Sequence, residues 1–244
     1  RVSATPGESL GCVLGIWAHP DDEAYLASGL MAQAAAAGSR VVCVTATRGE
    51  GGSLDHEKWP PHELAEVRTG ELQRCLSMLG VEEHIFLDLP DVDWETPLNE
   101  EGANKVAAIV KDVAPDSVLT FGPDGMTNHE GHKSVSRWAT DAFRRHAPAG
   151  SRLFYAVQSR AWGEEFLPTL EALGAFRDGA KPPVLADTDI DLDLILTGDL
   201  LELKVAAIRE HVSQVAGLIA AFGAGDWSRG MARESFRLAG SRPA

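Results

Sequence analysis

The chain has 244 residues, of which 44% are hydrophobic and 24% charged, and this composition is typical of a folded globular protein. Its formal net charge of −14 at pH 7 makes a nucleic-acid partner unexpected, since an acidic surface repels phosphates. No apolar run approaches the roughly 18 residues that a membrane span needs, so we predict no membrane span.

The excess negative charge lies in two stretches. Residues 82–101 hold eight acidic residues and residues 187–202 hold six, and neither stretch contains Lys or Arg. In the first stretch, Asp91, Asp93 and Glu95 would border a binding cleft and disfavour polyanionic substrates. We interpret the second stretch as a strand with one acidic, solvent-facing side followed by the start of a helix.

The cysteines bear on the cellular compartment. Cys12, Cys43 and Cys75 are far apart, which favours neither a disulfide framework nor a cysteine-based zinc site. Buried thiols in a reducing compartment predict a cytoplasmic protein. The sequence shows no apolar signal segment, but it begins without Met, so a removed leader stays open. It also leaves the oligomeric state open, and a homo-oligomer is compatible with it.

Hydrophobic patterning predicts strands that alternate with helices along the chain. Short apolar, β-branched runs are typical of buried strands, and longer periodic segments that end at glycine are typical of helices. In chain order we predict a flexible lead-in at 1–11, strands at 12–18, 40–47, 84–89, 117–121, 153–159 and 190–196, helices at 23–37, 61–79, 101–113, 132–145 and 200–215, and an irregular tail at 223–244.

This alternation predicts an α/β fold with a mostly parallel sheet covered by helices on both faces. No linker or repeat divides the sequence, so we predict one domain over residues 1–244 with a less regular C-terminal third. No G-x-G-x-x-G pattern follows the first predicted strand, and a dinucleotide site is therefore not expected.

Three polar loops follow predicted strands, at residues 19–22, 48–53 and 122–132. Ligands of such folds bind at the carboxyl ends of the parallel strands, so these loops should converge on one rim of the sheet. The polar loops therefore predict the location of a functional site.

Two of these loops carry residues that suit a metal ion. His19 and Asp22 lie three residues apart, and His129 and His132 repeat that spacing. Imidazole nitrogen and carboxylate oxygen are zinc ligands, and two His with one Asp leave a position for water. Asp21 would accept a proton from that water. Taken singly, the acids fit an ordinary helix N-terminus and each His fits a surface position.

These residues belong to a longer ordered set of motifs. Ala-His-Pro-Asp-Asp-Glu at residues 18–23 resembles the signature of the PIG-L/LmbE-like N-acetylglucosaminyl deacetylases, and the resemblance spans about residues 12–237. Further matches follow in order: Thr-Arg-Gly-Glu at 47–50, Arg68 with Glu71, Leu-Gly-Val at 79–81, Leu-Asp-Leu-Pro-Asp at 87–91, Gly-Pro-Asp-Gly-Met-Thr at 122–127, His129 with His132, and His-Val-Ser-Gln at 211–214.

The resemblance implies a Rossmann-like fold and a metal-dependent amidohydrolase with Zn²⁺ or another divalent metal as cofactor. Its substrate would be a small amino sugar bearing an N-acetyl group, commonly a glucosamine, released as acetate and a free amine. The implied site consists of His19, Asp22 and His132 as metal ligands, Asp21 as general base, His129 as oxyanion stabiliser or acid for the leaving amine, and Arg48, Arg68 and Asp124 as substrate-binding residues.

Two alternatives to this function remain open. One is an amidase that acts on a larger N-acyl group or on a glucosamine-linked thiol conjugate, with the same metal chemistry. The other is a catalytically weak carbohydrate-binding relative of these enzymes. Its sequence support is Gly131, which stands where the family usually has an Asp in a His-Pro-Asp-His loop.

That departure leaves the proton donor undefined. The family Asp normally holds a neighbouring imidazole, which raises the basicity of the ring. Glu130 is an alternative partner from the adjacent position. The pair Arg68 and Glu71 is similarly open, because a spacing of three residues on a helix suits either a surface ion pair or support of the active site.

Overall fold

Helices and strands alternate in the computed structural model, which describes residues 5–91, 98–173 and 180–243. Within these residues no helix combines the length and apolar character needed to cross a membrane. The strands are β1 (Val13–Trp17), β2 (Val41–Thr45), β3 (Glu83–Phe86), β4 (Ser117–Phe121), β5 (Arg152–Ser159), β6 (Val184–Leu185), β7 (Leu192–Ile195) and β8 (Arg233–Ser241). The helices are α1 (Asp22–Ala36), α2 (Pro61–Met78), α3 (Leu98–Val113), the turn α4 (Gly125–Asn128), α5 (Glu130–His146), α6 (Arg160–Ala172), α7 (Gly198–Arg209), α8 (Val212–Phe222) and α9 (Ala224–Gly230).

The strands form one mostly parallel sheet with the order β3-β2-β1-β4-β5-β8-β7, and β6 pairs with β5. Val13 of β1 is in register with Val41 on one side and with Ser117 on the other. From β1 the chain therefore adds strands first in one direction and then, from β4, in the other. The predicted α/β fold is confirmed, and ligands of such sheets bind where the strand order reverses.

The centre of the sheet is its most apolar part. Every residue of β1, β2 and β4 is buried, as expected for parallel strands covered on both faces. Trp17 and Phe121, at the carboxyl ends of β1 and β4, pack edge to face with ring centroids 5.4 Å apart. This packing makes the strand ends that flank the reversal a rigid base for the loops that follow them.

The C-terminal third is more regular than the sequence predicts. The tail predicted to be irregular at 223–244 forms α9 and β8, and β8 pairs antiparallel with both β5 and β7. Helix α6 was also absent from the predicted elements, and Pro168 interrupts its helical pattern. Burial along β8 does not alternate from one residue to the next, so its sequence lacks the usual pattern of a strand. Pairing with β5 and β7 is what identifies it as a strand.

The helix predicted at 200–215 is two helices, α7 and α8. The carboxylate of Glu71 accepts hydrogen bonds from the backbone N–H and hydroxyl of Ser213, at 2.7 and 2.8 Å. This side chain caps the start of α8 from outside and fixes the break. In the lead-in predicted at 1–11, Leu10 is fully buried and residues 8–10 form a 3₁₀ turn, so this part of the lead-in is ordered.

A buried ion pair attaches the C-terminal third to α1. Lys204 and Glu234 are 0% exposed and lie 2.8 Å apart, Nζ to Oε1. The Glu234 carboxylate also accepts from the backbone N–H groups of Gly29 and Leu30, at 2.8 and 2.9 Å. Lys204 donates to the carbonyl of Tyr25 at 2.8 Å. The pair therefore bonds α1, α7 and β8 together in the interior.

We expect the substitution Glu234→Gln to destabilise the protein by about 3–5 kcal/mol, because it leaves the Lys204 ammonium buried without its counter-charge. Urea denaturation measures the change. The control is Glu165→Gln, which breaks an exposed pair with Arg229 and should leave the unfolding midpoint near that of the wild type. Equal midpoints for the two variants would show that the buried pair contributes no more than a surface pair.

Candidate active site

The polar loops predicted to converge do meet, at the reversal of strand order. His19 and Asp22 follow β1, and His129 and His132 lie at the start of α5, after the loop that leaves β4. Asp91 joins them from the segment after β3. The position of the site follows from the sheet order, since the carboxyl ends of β1 and β4 are neighbours.

The turn after β1 sends two adjacent carboxylates to different partners. The Oδ2 atom of Asp22 accepts from the backbone N–H groups of Ala18 and His19, at 3.1 and 2.8 Å. Asp21 has φ +123°, a backbone region that favours glycine. This strained conformation separates the Asp21 side chain, which contacts Arg68, from that of Asp22, which contacts the histidines.

The three predicted metal ligands lie together. Asp22 Oδ1 is 3.3 Å from His132 Nε2, and Asp22 Oδ2 is 3.6 Å from His19 Nδ1. His19 Nδ1 and His132 Nε2 are 3.2 Å apart. All three side chains are about 10% exposed, so these atoms are largely shielded from solvent.

The outer hydrogen bonds of the two imidazoles determine which nitrogens carry protons. His132 Nδ1 lies 2.9 Å from the carbonyl of Gly125, and His19 Nε2 lies 3.1 Å from Asp91 Oδ1. A carbonyl and a carboxylate only accept, so the neutral rings carry their protons there. Two lone pairs then face each other at His19 Nδ1 and His132 Nε2, and this arrangement fits a bound cation.

The charges around these rings also favour a cation. Burial opposes protonation of His19, but the carboxylates of Asp22 and Asp91 outweigh it and raise the His19 pKa to about 9. Burial likewise disfavours ionised Asp22, yet His132 and His19 hold its pKa well below its usual range. The site therefore stabilises a carboxylate beside a positive charge, as a metal site requires.

Arg68 holds Asp21. Its guanidinium lies 3.2 Å from Asp21 Oδ2 and donates to the carbonyls of Pro20 and Gly49, at 2.5 and 3.0 Å. Gly49 has φ +69°, and a side chain there would clash with the guanidinium. Burial raises the Asp21 pKa to about 6, with the charge of Arg68 opposing this and that of Asp22 adding to it. Arg68 therefore pairs with Asp21, whereas Glu71 binds Ser213, and both side chains are buried.

His129 completes the cluster. One ring nitrogen from each of His19, His129 and His132 lies within 4.8 Å of the others. The Nδ1 atom of His129 accepts a hydrogen bond from the backbone N–H of Gly131 at 3.1 Å, and this contact caps α5. Glu130 lies elsewhere, in an exposed ion pair with Lys133 at 2.9 Å. A backbone N–H group therefore contacts His129 Nδ1 at the position where the sequence departs from the family motif.

The other two predicted substrate-binding residues shape the rim. Asp124 accepts from the backbone N–H of Met126 at 2.8 Å, within the loop whose Gly125 carbonyl orients His132. Arg48 binds Asp88 Oδ1 at 2.8 Å and stacks on Phe86, and its side chain is 37% exposed. Asp124 therefore has a structural contact of its own, whereas Arg48 lies at the surface.

Asp91 is the residue that sequence reasoning placed only at the border of the cleft. It accepts from His19 and, at 3.1 Å, from the backbone N–H of Gly51, where a side chain would clash with the Asp91 carbonyl. The available signal was an Asp at the end of a motif after a predicted strand. Asp93 and Glu95, predicted beside it, lie outside the described residues.

A carboxylate and two imidazoles that fit a cation, with a second carboxylate beside them, are the groups with which metal-dependent hydrolases activate water. The family model PIG-L, GlcNAc-PI de-N-acetylase, matches residues 14–143. The chain belongs to this family, and it is an N-deacetylase as its sequence predicts.

The relatives agree in activity more than the structural neighbours do. The chain is 32% identical to 1D-myo-inositol 2-acetamido-2-deoxy-alpha-D-glucopyranoside deacetylase of Kineococcus radiotolerans, over 83% of this chain and 68% of the relative. N,N'-diacetylchitobiose deacetylase of Pyrococcus horikoshii superposes with TM-score 0.62 and 22% identity, covering 96% of this chain and 85% of that one. The 4-carboxy-2-hydroxymuconate hydratase of Pseudomonas putida gives TM-score 0.65 and 17% identity, covering 96% and 98%. The fold alone therefore does not define the reaction.

Proposed function

We propose that this protein uses Zn²⁺ to remove the acetyl group from an N-acetylglucosamine-type substrate, releasing acetate and a free amine. The observation that carries the proposal is that His19 Nδ1 and His132 Nε2 lie 3.2 Å apart beside the Asp22 carboxylate. The deacetylase activity named for the relative from Kineococcus radiotolerans supports the choice of an amino-sugar glycoside as substrate.

The ligand set suits zinc. Two imidazole nitrogens and one carboxylate oxygen, from His19, His132 and Asp22, match a catalytic zinc site in which a further position stays open. When bound, such an ion supplies Lewis acidity to the amide carbonyl and to the attacking water. The bonds from Asp91 and Gly125 would keep both rings in the ligating tautomer.

Asp21 would act as the general base. Its Oδ2 atom is occupied by Arg68, which leaves Oδ1 to accept a proton from water. The water oxygen bonds to the amide carbonyl carbon, and the proton on Asp21 then passes to the nitrogen as the C–N bond breaks. In this scheme Arg68 is a positioning residue, because it acts on the substrate only through Asp21.

His129 would stabilise the oxyanion, which is one of the two roles that the sequence left open. Because its Nδ1 accepts a backbone N–H, the neutral ring carries its proton on Nε2. A neutral imidazole donates a hydrogen bond to a developing oxyanion but is a poor acid for an amine. The amine would therefore receive its proton from Asp21.

Of the other residues proposed to bind substrate, Arg48 suits the role best, since its guanidinium is partly exposed at the rim.

We also propose a cytoplasmic location. It is supported by three free cysteines, of which Cys43 and Cys75 are buried, since buried thiols persist in a reducing compartment.

A panel of N-acetylated amino sugars tests the proposed function, with free N-acetylglucosamine, its inositol glycoside and N,N'-diacetylchitobiose incubated with the Zn²⁺-loaded protein. We expect at least one to release amine and acetate in equal amounts. Metal removed by chelation should abolish release, and Zn²⁺ added back should restore it. Sugar binding without release of amine from any panel member would overturn the deacetylase assignment.

A further inference from the structure

An apolar cavity extends from Asp22 and His132, two of the proposed metal ligands, into the C-terminal third. It has a volume of about 260 Å³ and includes Asp22 and His132 in its lining. The described residues that form its apolar walls include Leu26, Met126, Trp162, Phe166, Leu218 and Trp227. The proposed deacetylase mechanism uses only the end of this cavity that touches the ligands.

An acetyl group is too small for this space. A dry cavity of about 150 Å³ already holds benzene, whereas an acetyl group carries a single methyl beyond its carbonyl carbon. Arg233 also lines the cavity, but its guanidinium is paired with Asp193 at 2.7 Å. A cavity with aromatic and aliphatic walls and a neutralised cation fits a hydrocarbon group.

In the proposed mechanism the cavity would lie on the acyl side of the scissile amide. In the proposed mechanism the nitrogen receives its proton from Asp21, so the amine and its sugar must lie beside that carboxylate. Asp21 is not part of the cavity lining, whereas Asp22, His132 and Phe121 are. The His132 ring stacks on Phe121 and on His129, with centroid distances of 4.1 and 5.0 Å. The cavity thus begins at the side chains of Asp22, Phe121 and His132.

From these observations we propose that the cavity binds the acyl chain of an N-acyl amino sugar, so that the enzyme hydrolyses amides of medium-chain fatty acids better than acetamides. This proposal rests on the proposed function, because it uses the same site and the same reaction. Water adds to the acyl carbon, the C–N bond breaks, and the products are a fatty acid and the free amine.

The test is a series of glucosamines N-acylated with acetyl, butyryl, hexanoyl, octanoyl and dodecanoyl groups, assayed for amine release. We expect kcat/KM to rise about fourfold per added methylene until the cavity is full, at about eight to ten carbons. A flat or falling series from acetyl onward, with acetyl hydrolysed, would overturn the acyl proposal and leave the deacetylase function intact.

A matched pair of variants connects the gain to the cavity. Leu218→Trp on α8 should bring the octanoyl-to-acetyl ratio of kcat/KM toward one, because the indole fills the cavity. Ala220→Trp, at an exposed position of the same helix, should keep the wild-type ratio. Equal ratios in the two variants would overturn the proposal.

Two further experiments distinguish acyl-chain binding from binding of a hydrocarbon on the sugar and from a failure of the proposed function. Octyl N-acetylglucosaminide places the same hydrocarbon on the sugar, and a gain there without a gain for N-octanoylglucosamine would overturn the acyl assignment. Calorimetric binding of N-octanoyl- and N-acetylglucosamine to Asp21→Asn tests the cavity without turnover. If Asp21→Asn binds N-octanoylglucosamine more tightly than N-acetylglucosamine but the wild type hydrolyses neither, only the proposed function is overturned. If Asp21→Asn binds the two sugars equally, the acyl proposal is overturned.

Discussion

Replacing Asp21 with Asn should reduce kcat about 10²- to 10⁴-fold while the protein keeps its fold and its metal. The substitution removes the carboxylate that we propose accepts the proton from water, yet the amide oxygen of Asn can still accept from Arg68 at the place of Oδ2. The metal should stay, because the ligating atoms of Asp22, His19 and His132 are unchanged. Steady-state amine release and elemental analysis on one preparation measure both effects.

The control for this variant is Asp88→Asn, which also changes an acid near the strand ends. Asp88 is 62% exposed and binds Arg48, so its loss should change kcat much less than the loss of Asp21. Near-normal hydrolysis by Asp21→Asn would contradict the assignment of the general base. Loss of metal from Asp21→Asn would instead show that Asp21 is a ligand and that the two carboxylates have been assigned in the wrong order.

His19→Ala should lose its Zn²⁺ on dialysis against buffer, whereas the wild type should retain it. The substitution removes one of the three proposed ligands and with it the contact of Asp91 to the ring. Asp91→Ala should have an intermediate effect, about a 10- to 100-fold lower metal affinity, because it frees the ring from its hydrogen-bond partner but keeps the ligand. Competition with a chromophoric chelator measures the three affinities.

An exposed histidine provides the control for metal binding. His62 lies on the surface beside Glu63, with its side chain 78% exposed, and His62→Ala should bind Zn²⁺ as the wild type does. Wild-type affinity in His19→Ala would exclude His19 as a ligand. Wild-type affinity in Asp91→Ala would mean that the hydrogen bond to His19 does not tune the site.

The central strands of the sheet could be predicted from the sequence because they are buried on both faces. A parallel strand such as β1 or β4 is an uninterrupted apolar run, and its signal does not depend on its neighbours. The predicted strand at 117–121 coincides with β4 for this reason. Strand β8, by contrast, has an exposed C-terminal half, and α7 and α8 are separated by a capping carboxylate that lies 142 residues earlier in the chain.

The residues of the candidate site could also be predicted from the sequence, but not all of their contacts. His19, Asp22 and His132 could be predicted as ligands because each follows a central strand, and strand ends of a parallel sheet lie on one rim. The contact of His19 with Asp91 could not be predicted, because Asp91 meets the ring only through the packing of separate loops, and the same holds for the contact of Arg68 with Asp21. Glu130 illustrates the limit, since its position beside His129 in sequence does not bring its side chain to that ring.

The sequence by itself determined the composition of the site, namely which loops carry ligating and proton-accepting side chains and which family they resemble. Only the tertiary structure decided what each group does there. The contact of Asp91 with His19, the contact of Arg68 with Asp21 and the walls of the apolar cavity all join elements that are distant in the chain. The acidic charge shows the same division. Its excess is plain from composition, but packing alone places the Asp91 carboxylate against His19 in the interior.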